Sequence, residues 1–174
     1  MTDKHPGGEE LTIFLLEMAG LTPCRILDMG AGEGKTVRYL KSIGFEALGI
    51  DKNPGADVEE GDFLHTLHQD GSFDAVISEC AFYASGDAAG AAKEAARLLK
   101  QGGKLLLSDV CFGTVNEHIT MLEGADFSVL HVEDATPLWR EYYLERIWDG
   151  TAQELCSAEE EKKCRYFLTI CERK

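Results

Sequence analysis

The chain has 174 residues, and its 31 acidic side chains against 17 basic ones leave a formal charge of −14. That length suits a single domain spanning 1–174, and the composition is that of an ordinary globular protein rather than a disordered or membrane-embedded one. The negative field repels phosphate backbones and anionic lipid surfaces, so neither nucleic acid nor membrane is the expected partner, and a cationic ligand is favoured.

Met1–Gly8 is polar and the apolar run Leu11–Leu21 is broken by Glu17 and Gly20, so neither a signal peptide nor a membrane span is predicted. Residues 1–22 read as an N-terminal helical segment, with a helix over Glu9–Leu21 carrying Leu11, Phe14, Leu15, Met18 and Leu21 at helical spacing. From 23 onward strands and helices alternate. Arg25–Met29 reads as a buried strand, followed by a glycine turn, a helix over Lys35–Ile43 and a second strand, Ala47–Ile50. A short third strand is expected around Asp57–Glu60 and a fourth at Phe73–Ser78. The alanine-rich helix Asp87–Lys100 should be stopped by Gly102-Gly103. Lys104–Val110 is the fifth strand, Glu117–Glu123 a helix, Phe127–Val132 the sixth strand and Pro137–Leu155 a longer helix. A charged turn at Glu159–Lys163 precedes the last strand, Arg165–Cys171. The rhythm indicates an α/β fold, Rossmann-like and doubly wound, with a mostly parallel seven-stranded sheet and helices on both faces. In such a sheet the ligand crevice lies beyond the carboxyl ends of the strands, where Gly30–Gly34, Asp51, Glu79 and Asp109 should gather.

Chemistry concentrates at Asp28-Met29-Gly30-Ala31-Gly32-Glu33-Gly34. A strand ending in Gly-x-Gly-x-Gly and running into a helix lets the backbone approach a ligand closely, since no Cβ intervenes. The glycine spacing usual for a dinucleotide would put the third glycine at position 35, where Lys35 stands. Asp28, two residues before the first glycine, would sit badly beside a pyrophosphate and well beside an ammonium or sulfonium. A nicotinamide-dependent reductase is therefore disfavoured. The six cysteines, Cys24, Cys80, Cys111, Cys156, Cys164 and Cys171, form no CxxC or zinc-like cluster, so no metal site is expected. They read as reduced thiols of a cytoplasmic protein.

Asp28–Gly34 resembles the first motif of class I S-adenosylmethionine-dependent methyltransferases, and the similarity runs through nearly the whole chain. The ubiquinone/menaquinone-biosynthesis and arsenite methyltransferase-like branches look most similar. The resemblance implies S-adenosyl-L-methionine as cofactor, S-adenosyl-L-homocysteine as product and an antiparallel last strand. It assigns cofactor contacts to Asp28, Gly30, Ala31, Gly32, Gly34, Lys52 and Glu79, with Asp51 at the ribose. In Gly61-Asp62-Phe63 it puts Asp62 on the exocyclic amine of adenine and Phe63 against the ring. Phe73–Ile77 is similar to the fourth-strand motif and Leu98–Leu105 to the turn before the fifth strand. Asp74, at a strand's start, reads as structural.

On the acceptor side, Glu79-Cys80-Ala81-Phe82-Tyr83 and Ser108-Asp109-Val110-Cys111 should line the pocket beyond the donated methyl. Glu79 and Asp109 are candidate proton acceptors and Tyr83 a candidate substrate contact; packing or solvation is the bland alternative for each. Trp139, Tyr142, Tyr143 and Trp148 read as core or interface. The expected activity is in-line methyl transfer to a small-molecule acceptor by a monomer or homodimer, with positioning and water exclusion as the protein's part. Two alternatives stay open: a non-catalytic binding or accessory protein on the same scaffold, and a metalloid methyltransferase using Cys80 and Cys111 with a third thiol from Cys156 or Cys164.

Overall fold

The computed structural model describes residues 6–148 and 164–174. Its strands are β1 (Arg25–Met29), β2 (Glu46–Asp51), β3 (Glu59–Glu60), β4 (Phe73–Glu79), β5 (Leu99–Cys111), β6 (Phe127–Asp134) and β7 (Arg165–Arg173). The helices are α1 (Gly8–Ala19), α2 (Lys35–Ser42), α3 (Ala88–Leu98), α4 (Val115–Glu123) and α5 (Thr136–Trp148). The strands make one sheet in the order β3-β2-β1-β4-β5-β7-β6. Pairing is parallel from β3 to β5, and β7 runs antiparallel to both β5 and β6. This is the doubly wound, seven-stranded architecture that the alternation of elements predicts.

Successive strand residues point to opposite faces, and two cores result. Ile26, Ala75, Ile77 and Leu106 pack with Leu15, Val37, Leu40, Trp139 and Tyr143, so α1, α2 and α5 cover one face. Leu27, Met29, Val76, Leu105 and Leu107 pack with the alanines of α3 and Leu122 of α4 on the other. Trp139 and Tyr143 stack at 5.2 Å inside the first core, which makes these two aromatics packing residues. The side chain of Trp148, the predicted helix beyond it, Cys156 and the turn Glu159–Lys163 lie outside the described residues.

One junction differs from expectation. The helix predicted to run to Lys100 ends at Leu98, because Leu99 is already extended and pairs with Phe73. The next pair along the ladder is Ala75 with Lys104, so residues 100–103 are accommodated as an irregularity within β5. Gly102 takes a left-handed φ of 74° there, and a Cβ on Gly103 would lie 2.8 Å from the Lys100 carbonyl oxygen. These glycines therefore shape a strand irregularity and do not stop a helix; strand pairing overrides local helix propensity. Asp74 anchors this end of the sheet, accepting from the Arg25 amide at 3.2 Å and from Lys100 Nζ at 2.5 Å. Strands β6 and β7 run to Asp134 and Arg173, beyond their predicted ends, because they pair with each other from Phe127↔Arg173 to Asp134↔Phe167.

Candidate functional site

Strand order reverses at β1 and β4, and the turn leaving β1 sits at that point. Its glycines are all left-handed, with φ of 88° at Gly30, 52° at Gly32 and 75° at Gly34, but they answer different demands. A Cβ on Gly30 would come within 2.2 Å of the Ala81 Cβ, and one on Gly34 within 2.8 Å of Val58 Cγ2. A Cβ on Gly32 would meet nothing within 4 Å. Packing inside the protein thus requires Gly30 and Gly34, whereas Gly32 faces open space. The turn is strapped to β2: the Gly30 and Ala31 amides both donate to the Ile50 carbonyl, and the Gly32 amide donates to Asp51 Oδ2 at 2.9 Å. Asp51 Oδ1 accepts from the Asn53 amide at 2.7 Å, which fixes the carboxylate between two loops.

A cavity of about 270 Å³ opens beside the turn, on the α1/α2 side of the sheet. Asp28 shares a face of β1 with Ile26, and Glu79 shares a face of β4 with Ala75 and Ile77, so both carboxylates reach this cavity. Asp28 is only 3% exposed, and among the described residues no hydrogen bond or ion pair engages its carboxylate. Burial, followed by the nearby Glu79 and Asp51 carboxylates, raises its proton affinity well above the ordinary aspartate value. Glu79 is tethered at both oxygens: Thr12 of α1 donates to Oε1 and Thr36 of α2 to Oε2, each at 2.9 Å. Glu9 and Thr12 place α1 over one side of the cavity, and Lys35 lies on its wall. Cys80, also on the wall, adopts a left-handed φ of 59° with its sulfur 3.4 Å from the Tyr166 hydroxyl. Burial pushes its thiol far up, so it stays neutral.

Of the residues singled out from the sequence, Asp28, Gly30, Ala31, Gly32 and Glu79 line this cavity. Gly34, Asp51, Lys52, Asp62 and Phe63 do not. Lys52 pairs with Asp62 at 3.3 Å, and Asp62 accepts from the Leu64 amide at 3.0 Å, which holds its carboxyl below the usual range. The Phe63 ring is buried in the α3-side core, stacked 6.4 Å from Phe82.

The acceptor-side residues divide between the two faces. Asp109 shares its face of β5 with Leu105 and Leu107, opposite to that of Glu79, and lines a second cavity of about 370 Å³ on the α3/α4 side. The expected gathering of Glu79 and Asp109 in one crevice is therefore corrected by strand parity. Asp109 accepts from the amides of Tyr83 at 2.9 Å, of Val110 at 2.7 Å, and of Phe82. Burial outweighs these bonds and lifts its pKa to about 6. Tyr83 lines the second cavity with its ring 4.8 Å from that of Phe112. Cys111 lines the second cavity and Cys80 the first, so the two thiols do not converge. No cluster of three metal-binding side chains occurs among the described residues.

Thr12, Thr36 and Lys35 were not singled out from the sequence. Thr12 left a trace there, as a hydroxyl interrupting the apolar stripe of Leu11, Leu15 and Leu16 in α1, where it is buried. Thr36 follows the glycine turn closely but carries no pattern of its own.

The methyltransferase domain family matches residues 27–107, from β1 into β5. The chain is 32% identical over 122 residues to an arsenite methyltransferase of Aquipseudomonas alcaligenes, a match covering 55% of this chain and 35% of that protein. It is 33% identical over 103 residues to a glycine/sarcosine/dimethylglycine N-methyltransferase of Actinopolyspora halophila, covering 49% of this chain and 18% of that one. The matches thus span about a third or less of these curated relatives. Among solved structures, phosphoethanolamine N-methyltransferase 2 of Haemonchus contortus, in complex with phosphomonomethylethanolamine and S-adenosylhomocysteine, superposes with a TM-score of 0.76. That likeness, at 18% identity over 98% of this chain and 53% of the other, is one of fold.

Proposed function

We propose that this chain, which belongs to the class I methyltransferases, binds S-adenosylmethionine at the turn leaving β1 and moves its methyl group to a small-molecule acceptor. Asp28 carries the reading. A carboxylate buried to 3% exposure, without a partner among the described residues and facing a cavity, is costly unless a positive group meets it. A ligand with an ammonium and a sulfonium fits that demand, and a pyrophosphate does not. Asp28 and Glu79 would hold the cationic end, and the backbone of Gly30, Ala31 and Gly32 would border it, with Gly34 shaping the turn. Asp51 would accept from the ribose hydroxyls, and Lys52, Asp62 and Phe63 would border the adenine. When bound, the group supplies an electrophilic methyl on a positively charged sulfur. The chain itself orients the reactants and excludes water, the latter through Glu9 and Thr12 of α1.

A small acceptor is favoured by the names of the relatives, which act on arsenite and on glycine and its methylated forms. The metalloid alternative gains no support from the described thiols, since Cys80 and Cys111 face different cavities. No helix among the described residues is long and apolar enough to cross a membrane, and we read the protein as cytoplasmic, monomeric or homodimeric.

Calorimetry with S-adenosylmethionine and S-adenosylhomocysteine is the direct test. Micromolar binding is expected, with Asp51→Ala weakening it by about 1.5–3 kcal/mol, the worth of charged hydrogen bonds. Gly32→Val, projecting into the open space beside the turn, should abolish it. A folded protein that binds neither nucleoside at millimolar concentration refutes the reading. If both variants bind like wild type, the site lies elsewhere. Transfer of a labelled methyl to candidate amines, thiols and hydroxyl compounds separates an enzyme from an accessory protein.

A further inference from the structure

The cavity of about 370 Å³ on the α3/α4 face has the size of a small-molecule site and shares no lining residue with the cavity beside the turn. Phe82, Leu107 and Met121 give it apolar walls, and the rings of Tyr83 and Phe112, 4.8 Å apart, form a more exposed rim. Two carboxylates border it. Asp109 already accepts three backbone amides, and Glu117 accepts from the amide and hydroxyl of Thr114 in the capping box.

His118 differs from both. It is 5% exposed and lines the cavity from α4. Its Nε2 lies 2.9 Å from the hydroxyl of Thr169 on β7, a fully buried side chain. That hydroxyl has no other partner among the described residues, so its proton is satisfied only if Nε2 accepts it. Burial lowers the pKa of the ring to about 4, which keeps it neutral, and its one proton is then carried by Nδ1. Nδ1 has no hydrogen-bond partner among the described residues, yet it is not one of the interior polar atoms closed off from solvent. Its accessible side is therefore the cavity. The result is one N–H donor in an aromatic, otherwise apolar enclosure. An anion there would meet Asp109 and Glu117, and a cation would meet the N–H and find those carboxylates already engaged.

We propose that the α3/α4 cavity binds an uncharged aromatic small molecule carrying a hydrogen-bond acceptor, which packs among Phe82, Tyr83 and Phe112 and receives the Nδ1 proton of His118. This site stands independently of the cofactor reading above. The two cavities are neighbours all the same, since Phe82 and Tyr83 follow Glu79, Cys80 and Ala81 directly and one chain segment borders both.

Acetophenone, a phenyl ring with one carbonyl, is the probe, titrated into the full chain and followed by calorimetry and by NMR of the histidine rings. A Kd below about 1 mM is expected, with a shift of the His118 Nδ1 proton. Benzoate and benzyltrimethylammonium should bind at least about tenfold more weakly, since each would bring an uncompensated charge into the cavity. His118→Leu should weaken acetophenone about tenfold, the worth of a buried hydrogen bond, but should not weaken ethylbenzene, which has a similar outline without the oxygen. Met121→Trp, which fills the cavity, should abolish binding of both. Saturating S-adenosylhomocysteine should leave acetophenone binding in place. No binding to folded wild type at about 10 mM, tighter binding of either ion, or a His118 ring that does not respond overturns the proposal, and these wild-type outcomes decide it even where a variant fails to fold. Displacement of acetophenone by S-adenosylhomocysteine overturns it as well, by making the cavity part of the cofactor site. The cofactor reading fails separately, if neither nucleoside binds.

Discussion

Asp28 and Asp109 are equally buried, each 3% exposed, and each lies in the C-terminal half of a strand of the same sheet. Their surroundings are opposite. Asp109 receives amides from Phe82, Tyr83 and Val110, so its charge holds the chain segment that leaves β4. Asp28 receives no hydrogen bond among the described residues and faces a cavity. Burial raises the proton affinity of both, but only in Asp109 do backbone donors offset it. A buried carboxylate surrounded by amides is a strut, whereas one facing a cavity without donors calls for a positive group to meet it.

The largest expected effect tests the turn beside the first cavity. Gly30→Ala drives a Cβ against Ala81, at 2.2 Å, in a left-handed backbone, and should cost roughly 3–5 kcal/mol in urea denaturation. Gly32→Ala, equally left-handed but facing open space, should cost only about 1–2 kcal/mol. Equal losses would show that the glycines do not differ as the packing indicates.

Next is pH. Because folding lifts Asp109 from 3.8 to about 6, the folded state holds this proton more tightly than the unfolded chain does. The resulting stabilisation is fully present below pH 3.8 and is lost as pH rises through about 6, a change of roughly 3 kcal/mol. The stability difference between wild type and Asp109→Asn, followed by denaturation from pH 4 to 7, should show that slope; a flat difference would remove Asp109 as its source.

At pH 7, Asp109→Asn should itself lose about 1–3 kcal/mol, since an amide NH₂ then opposes a backbone donor. Asp28→Asn breaks no such bond and should leave the free protein as stable as wild type, or more so, while weakening donor binding. A loss of stability in Asp28→Asn like that in Asp109→Asn would collapse the contrast. The smallest change is Thr114→Ala, which removes the capping box with Glu117 and should cost about 1 kcal/mol in thermal melts, without touching the first cavity.

Much of this was legible from residues 25–79. Arg25–Met29 is bounded by the pattern alone, and Asp28–Gly34 announces a strand, a tight turn and a helix through local conformational needs. The break between α3 and β5 was not legible. Alanine favours helix to Lys100, but the pairing of Leu99 with Phe73 decides otherwise, and that partner lies 26 residues away. The site shows the same division. Asp28 was readable because its spacing to Gly30 is local; the tether on Glu79 was not, because Thr12 lies 67 residues distant.

The order of elements, the glycine turn and the acid two residues before its first glycine follow from the sequence alone, because all of them depend on near neighbours along the chain. The tertiary structure alone decided which acid meets which cavity. Glu79 and Asp109 sit at the ends of adjacent strands, and the two-residue period of β4 and β5 sends their side chains to opposite faces. Which face carries the Glu79 cavity then depends on where α1 and α2 pack, and the threonines they carry are what hold the Glu79 carboxylate in place.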